Sequence, residues 1–117
     1  MKSIATMTVT LALFAAPVIA EETAAKELEL GVKTYKDFCA HCHGPKMVNP
    51  GTNSYDLRKW PTDNKDGFYS AVLKGKGDMP AWGDILLENE IDALWRYVAT
   101  RGGKEPLAET GDGGDGS

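Results

Sequence analysis

The most informative stretch of this 117-residue sequence is Cys39-Ala40-His41-Cys42-His43. It contains both cysteines and both histidines of the chain. Two thiols three positions apart, followed at once by a histidine, form the C-x-x-C-H pattern typical of c-type haem attachment. The thiols can bond the two vinyl groups on one haem edge, and the histidine is then held beneath the iron. We therefore expect one covalently bound haem c, attached through Cys39 and Cys42, with His43 as an axial iron ligand.

Three other interpretations of the cysteine pair are weaker. A disulfide between such close positions closes a small loop and removes little chain entropy. A thioredoxin-like dithiol opens a helix after a strand in a βαβ unit, whereas this pair follows a helical pattern and precedes a loop. A structural zinc site needs four ligands around the metal, and Cys and His side chains packed into one short motif cannot surround an ion tetrahedrally.

The second axial ligand is inferred by elimination. His41 lies within the attachment loop, on the same side as His43, and no other histidine exists. Of the four methionines, two lie in the first twenty residues, and Met47 follows the motif too closely to reach the opposite face of the haem. Met79, in the Gly-Asp-Met-Pro loop at residues 77–80, remains; its alternative role is that of a core filler. A thioether is a soft ligand that favours ferrous iron and raises the reduction potential.

The expected ligand pair also bears on function. An iron with histidine and methionine ligands has no position left for a substrate, which favours electron transfer over oxygen binding or peroxide chemistry. We therefore expect an electron-transfer protein and not an enzyme. The alternative is a haem enzyme, or a gas or redox sensor, in which Met79 is displaced from the iron.

The first twenty residues have the pattern of a secretory signal peptide. They contain one charge, Lys2, an apolar run from about Met7 to Val18, and Ala20 ahead of the predicted cleavage point. The apolar run is too short for a membrane span, which needs about 20 residues. We therefore expect export to the periplasm without stable membrane insertion, a domain at residues 21–104, and a flexible Gly/Asp-rich tail at residues 105–117.

Size and charge restrict the possible functions. Cleavage leaves 97 residues, which is one small domain and excludes a multidomain enzyme or a complete dinucleotide-binding fold. Domains of this size often depend on a cofactor for stability. The mature part carries 12 basic and 17 acidic residues, a net charge of −5. An acidic domain is a poor ligand for nucleic acid or anionic membranes, and it would be attracted to partners with basic patches.

The apolar pattern predicts an all-α fold in which three main helices are joined by long loops. The helices are expected at residues 24–38, after Thr62 or Asp63 to Lys74, and at about residues 89–100. Thr23 is the candidate N-cap of the first helix, and Asn89 with Asp92 is a candidate capping pair of the last. Gly31 interrupts the first helix at a cost in propensity, so it is either merely tolerated or marks a close helix contact.

These motifs together resemble class I cytochrome c over about Leu28 to Arg101. The resemblance rests on four segments, which are Gly31-x-x-x-Tyr35, Cys39 to Gly44, Gly77-Asp78-Met79-Pro80-Ala81-Trp82, and Ile91 to Val98. It implies the cytochrome c fold, with three main helices and long loops wrapped around one covalent haem, in a monomer. In that family the first and last helices cross at nearly a right angle, and Gly31 would permit this approach under Leu94 and Tyr97.

The resemblance also implies roles for residues around the haem. A proline carbonyl usually accepts the ring N–H of the axial histidine, and Pro50 fits by its distance from His43, with Pro45 as the alternative. Three side chains are candidates to meet the haem propionates, namely Tyr55, Arg58 and Trp60. Arg58 is equally well an exposed charge. Packing at the haem edge is the expected role of Trp60 and Trp82.

The loop from Met47 to Arg58 departs from the common class I pattern. It resembles loops of small bacterial periplasmic cytochromes that serve quinoprotein alcohol dehydrogenases. The implied function is that of a periplasmic one-electron carrier between a donor dehydrogenase and an acceptor oxidase or reductase. Its contacts with these redox proteins should be small, wet and sensitive to salt.

Overall fold

The computed structural model describes residues 2–11 and 16–108 of the chain. Its α-helices are α1 (Ala16–Phe38), α2 (Ala40–His43), α3 (Lys65–Lys74) and α4 (Glu88–Ala99). Two short 3-10 turns lie at Pro45–Met47 and Leu57–Lys59. No strand occurs within these described ranges, so the predicted all-α fold is confirmed. Within the same ranges, no helix is both long and apolar enough to cross a membrane.

Helix α1 begins at Ala16, eight residues ahead of the predicted start at residue 24. The prediction of Thr23 as N-cap is therefore wrong. Its hydroxyl lies inside the helix and donates to the carbonyl of Ile19, one turn back, at 2.9 Å. Residues 18–23 contain no proline or glycine to stop a helix, and alanine and glutamate favour one. The helix therefore crosses the predicted cleavage point after Ala20.

Helix α3 starts slightly later than expected, because neither Thr62 nor Asp63 caps it. The cap is Asn64, whose side-chain oxygen accepts the backbone N–H of Gly67 at 3.0 Å. An asparagine at this position satisfies one of the backbone N–H groups that an α-helix leaves unpaired in its first turn.

Helix α4 starts at Glu88, one residue before the prediction, and the proposed capping pair is wrong. The carboxylate of Glu90 reaches back to accept the backbone N–H of Leu87 at 2.7 Å. This is the side-chain half of a capping box, which does not need a polar residue at the cap itself. Asp92 lies farther along the helix and accepts a hydrogen bond from the hydroxyl of Tyr69 on α3.

Gly31 marks the contact between α1 and α4. A Cβ atom at this position would lie 2.2 Å from the carbonyl oxygen of Ala93 and 3.1 Å from Cβ of Tyr97. The close approach is therefore real, and it explains the glycine that interrupts α1. Tyr97 is one of its partners, as expected, but the tightest contact is the Ala93 backbone and not Leu94. Leu94 is fully buried in the core.

The core is a single apolar cluster formed by α1, α3, α4 and the loops between them. Its largest fully buried side chains are Tyr35, Leu94 and Val98. Met47, just after the C-x-x-C-H motif, is also buried in this cluster. Several half-buried side chains pack against it, among them Cys39, Trp60, Met79 and Trp82. The core thus brings the motif and the Met79 loop onto one cluster.

Candidate haem site

The C-x-x-C-H motif lies where α1 ends and the single-turn helix α2 begins. The carbonyl of Cys39 accepts the backbone N–H groups of Cys42 and His43 at 3.2 and 3.0 Å. Side chains three or four residues apart lie on the same face of a helix. The backbone hydrogen bonds of this turn therefore hold the two thiols and the imidazole close together. Both cysteines are free thiols, and no disulfide joins them.

The two thiols differ in their surroundings. Cys39 is half-buried, and its burial, aided by the neighbouring Cys42 thiol, raises the pKa of Cys39 to about 12. Cys42 is exposed. Before a cofactor is attached, the Cys39 thiol is therefore neutral near pH 7, and it packs against the core as an apolar group. A covalent bond at this sulfur would bring the attached group against the same apolar cluster.

His43 is oriented by a backbone carbonyl. Its Nδ1 lies 2.9 Å from the carbonyl oxygen of Tyr55. Because a carbonyl can only accept, Nδ1 is the protonated nitrogen, and Nε2 keeps a lone pair for a metal. The expected acceptor carbonyls of Pro50 and Pro45 are therefore replaced by that of Tyr55. Pro50 is exposed, and the carbonyl of the later residue Tyr55 reaches the histidine instead.

The exit from the motif requires a glycine. Gly44 has a φ of 88° and a ψ of 158°, a region that is accessible essentially only to glycine. An added Cβ would also lie 1.8 Å from the carbonyl oxygen of Val48. The hydroxyl of Tyr35, on α1, donates to the carbonyl of Gly44 at 2.6 Å. This hydrogen bond ties the motif to the buried side of α1.

The predicted ligand Met79 ends a tight turn. Lys76 and Met79 exchange backbone hydrogen bonds of 3.1 and 3.0 Å, and Gly77 between them has a φ of 59°. Gly75, just before the turn, has a φ of 76°, and an added Cβ would lie 2.6 Å from the carbonyl oxygen of Met79. Two glycines thus allow the backbone to hold Met79 at the surface of the core.

The residues proposed for the propionates have other partners in the structure. Arg58 is exposed, and its guanidinium binds both carboxylate oxygens of Asp56 at 2.9 and 3.0 Å. This contact lowers the pKa of Asp56. Trp60 donates from its indole nitrogen to the carbonyl of Asn64 at 3.0 Å and meets the ring of Tyr55 edge-on. Trp82 meets Phe38 edge-on.

Two contributors to the site were missed at the level of sequence. Arg101, to which the sequence analysis gave no role in the site, donates to the carbonyls of Leu57 and Trp60 at 3.2 and 2.7 Å. It therefore anchors the loop that carries Tyr55. Asn49 organises the start of the same loop through its side chain. The sequence Asn-Pro-Gly-Thr could have indicated this role, since an asparagine side chain readily bonds the backbone of a following turn.

The site as a whole fits a covalent haem. Two free thiols stand within one turn of a histidine whose second nitrogen is already satisfied. A thioether, that of Met79, is presented on the same core. By contrast, no cluster of three or more Cys, His, Asp or Glu side chains suited to a bare metal ion occurs in the described part of the chain. The donor set of imidazole and thioether suits iron within a haem.

Comparison with known proteins gives a consistent result. The family model described as "Cytochrome C oxidase, cbb3-type, subunit III" matches residues 26–98. Cytochrome c6 of Bryopsis maxima is 37% identical over 78 residues, which cover 62% of this chain and 89% of that protein. Cytochrome c6 of Microcystis aeruginosa is 33% identical over 78 residues, which cover 63% of this chain and 96% of that protein.

A larger relative is similar over one part of its length. Quinohemoprotein alcohol dehydrogenase ADH-IIG of Pseudomonas putida is 29% identical over 87 residues. The match covers 73% of this chain but only 12% of that protein. No solved structure gave a match.

Proposed function

The chain belongs to the class I c-type monohaem cytochromes, electron-transfer proteins with covalent haem c, and on this premise we propose that it shuttles single electrons in the periplasm. The thiols of Cys39 and Cys42 would hold the haem through thioether bonds. Nε2 of His43 and the sulfur of Met79 would be the axial iron ligands. Bound haem c supplies the chemistry, which is one-electron exchange between ferrous and ferric iron.

The observation that carries this proposal is the hydrogen bond between Nδ1 of His43 and the carbonyl of Tyr55. It leaves Nε2 unprotonated, as iron coordination requires, and it fixes the plane of the imidazole. Met79 gives separate support to the proposal. Its backbone is held in a glycine-dependent turn, and its side chain is half-buried against the core. A methionine on a flexible part of the surface would lack both restraints.

The ligand set supports electron transfer for a physical reason. When His43 and Met79 both bind the iron, no coordination position remains open for a substrate or a gas. The soft thioether stabilises the ferrous state and so raises the reduction potential. The protein therefore sets the potential and controls access to the iron, while the chain itself makes and breaks no bonds during transfer.

The proposed partners are a periplasmic donor dehydrogenase and an acceptor oxidase or reductase. The similarity to part of a quinohemoprotein alcohol dehydrogenase supports a quinoprotein alcohol dehydrogenase as the donor. The signal-peptide pattern of residues 1–20 supports the periplasmic location. We further propose that the protein works as a monomer and docks transiently.

Substitution of Met79 by alanine tests the ligand assignment. Oxidised protein with a methionine-bound iron has a weak near-infrared band from sulfur-to-iron charge transfer. We expect Met79→Ala to abolish this band and to lower the reduction potential, because a soft ligand of ferrous iron is lost. The measurements are near-infrared absorption of the oxidised holoprotein and an equilibrium redox titration.

Met47→Leu is the matched control, because Met47 is buried in the core and leucine has a similar volume. It should keep the band. A band that persists in Met79→Ala would refute the assignment. A persistent band would mean that another methionine binds the iron, whereas a band already absent from the wild type would favour a haem enzyme or sensor in which Met79 is not a ligand.

A further inference from the structure

The side chain of Asn49 organises the loop that follows the haem-binding motif. Its oxygen accepts the backbone N–H groups of Gly51 and Thr52, each at 2.8 Å. Its amide nitrogen donates to the carbonyls of Thr52 and Ser54 at 3.2 and 2.6 Å. Both donor and acceptor positions of the amide are thus used within six residues of chain, and Asn49 is itself half-buried.

Thr52 joins this loop to the motif. Its hydroxyl donates to the carbonyl of Cys42 at 2.9 Å. That carbonyl belongs to the peptide bond directly before His43, so the contact restrains the backbone of the axial histidine itself. The same hydroxyl oxygen accepts the backbone N–H of Ser54 at 3.3 Å, which extends the connection toward Tyr55.

Tyr55 completes the connection to the imidazole. The carbonyl of Tyr55 accepts a hydrogen bond from Nδ1 of His43. Tyr55 directly follows Ser54, whose carbonyl accepts a hydrogen bond from the side chain of Asn49. On its other side the hydroxyl of Tyr55 donates to the carbonyl of Lys59 at 3.3 Å. The position of the acceptor carbonyl therefore depends on the loop that Asn49 and Thr52 hold together.

We propose that Asn49 and Thr52 are positioning residues for the axial histidine, and that they lower the reduction potential by fixing the Tyr55 carbonyl against Nδ1 of His43. A well-placed acceptor increases the electron donation of the imidazole, which stabilises ferric iron more than ferrous iron. This proposal rests on the proposed function, because it requires that His43 binds the haem iron.

Asn49→Ala tests the proposal in the holoprotein. Without the amide the Tyr55 carbonyl is less well held, so the potential should rise. At the wild-type midpoint potential, the ratio of ferric to ferrous protein should fall about threefold, since one hydrogen bond changes an equilibrium constant roughly two- to tenfold. Exchange of the His43 Nδ1 proton with solvent, measured by NMR on the reduced protein, should become faster.

Thr52→Val is a second variant of nearly the same shape, and it should shift both measurements in the same direction. Thr52→Ser restores a hydroxyl and should return both values toward wild type. Asn53→Ala is the matched control. Asn53 is an exposed asparagine of the same loop, and its side chain makes no hydrogen bond within the described residues. It should leave the potential and the exchange rate unchanged.

The outcomes separate this proposal from the one on which it rests. If Asn49→Ala and Thr52→Val lower the unfolding midpoint but match Asn53→Ala in potential and exchange rate, the two residues are structural only and the proposal is refuted. If Asn49→Ala yields no holoprotein, the Thr52 variants decide. The proposed function itself fails if the wild type carries no covalent haem. It also fails if the His43→Ala variant still shows the signal of an imidazole ligand.

Discussion

Asp56 and Arg58 form the most complete side-chain ion pair of the loop that carries the Tyr55 carbonyl. The guanidinium contacts both carboxylate oxygens, and one of these oxygens also accepts the backbone N–H of Arg58 at 3.1 Å. The pair thus closes the 3-10 turn Leu57–Lys59 as well as joining two charges. A single carboxylate therefore supports the backbone that immediately follows Tyr55.

Asp56→Asn tests this role through its pH dependence. Hydrogen bonding to Arg58 lowers the folded-state pKa of Asp56 below its unfolded value, which is about 3.9. The stability that Asp56 contributes is therefore fully present above the unfolded pKa and lost as the pH falls through the folded pKa. We expect the wild type to exceed Asp56→Asn in thermal midpoint at pH 7, and this difference to shrink as the pH approaches 3.

Because the Arg58 side chain of this pair is exposed, the difference should be small and should weaken in high salt. Arg58→Gln should reproduce it, because it removes the other charge of the same pair. A difference that is constant from pH 7 to pH 3 would show that the Asp56 charge does not act through this pair.

Among the helices, α1 and α4 make the most extensive contact, and the packing there is controlled at one point. Gly31 allows the carbonyl of Ala93 to lie where a side chain would otherwise begin. The ion pair between Glu27 and Arg96 joins the same two helices one turn earlier on α1. Helix α3 is tied to α4 by the hydroxyl of Tyr69, which donates to Asp92.

Gly31→Ala should destabilise the protein strongly, although alanine is the better helix former. The added Cβ would meet the Ala93 carbonyl oxygen at 2.2 Å, and a backbone atom cannot move aside as a side chain can. We expect a loss of about 3 kcal/mol in the free energy of unfolding, near the upper end for overpacking. Denaturant unfolding of the holoprotein measures it.

Val32→Ala is the control for this substitution. Val32 is the next residue of α1 and is 37% exposed. Its truncation should change the free energy of unfolding by about 0.5 kcal/mol or less, as is usual at a surface position. A small effect of Gly31→Ala, equal to that of Val32→Ala, would mean that the two helices can separate without cost.

The molecule as a whole is acidic, and this affects how it meets its partners. Residues 21–117 carry a net charge of −5, and the two propionates of a bound haem would make it more negative. A partner with a basic docking face would be attracted over about one Debye length, roughly 10 Å at 0.1 M salt. Charge therefore bears on the rate of encounter more than on the strength of the complex.

Electron transfer from a quinoprotein dehydrogenase with a basic docking face should slow as ionic strength rises. Salt screens the attraction that brings the two proteins together, so the second-order rate constant should fall steeply between low and physiological salt. Stopped-flow kinetics at several salt concentrations measure it. Reduction by an uncharged small molecule is the control and should vary little. Equal salt dependence in the two reactions would contradict docking guided by charge.

Much of the haem site was predictable because its parts are close together in the chain. Cys39, Cys42 and His43 belong to one helical turn, so their spacing alone defines their arrangement. Met79 is predicted as a ligand by elimination among the four methionines. Gly31 was singled out because a glycine is costly in a helix, and the structure provides the reason for that cost.

Other features were not predictable because they depend on where the chain returns in space. The acceptor for His43 was expected to be Pro50, but the loop turns around Asn49 and presents the carbonyl of Tyr55. A backbone carbonyl exists at every residue, so no residue type indicates which carbonyl will be used. The start of α1 was misplaced because threonine can cap a helix but can also lie inside one, where its hydroxyl bonds the previous turn.

The amino-acid sequence by itself therefore determined the cofactor, the all-α class and the acidic character of this protein, and it predicts the attachment points. These depend on residue identity and on spacing over a few positions. Only the tertiary structure decided which carbonyl orients His43, which backbone atom occupies the space at Gly31, and how Asn49, Thr52 and Arg101 hold the loop. Those contacts join residues through backbone groups that all residues share, so only the folded chain selects among them.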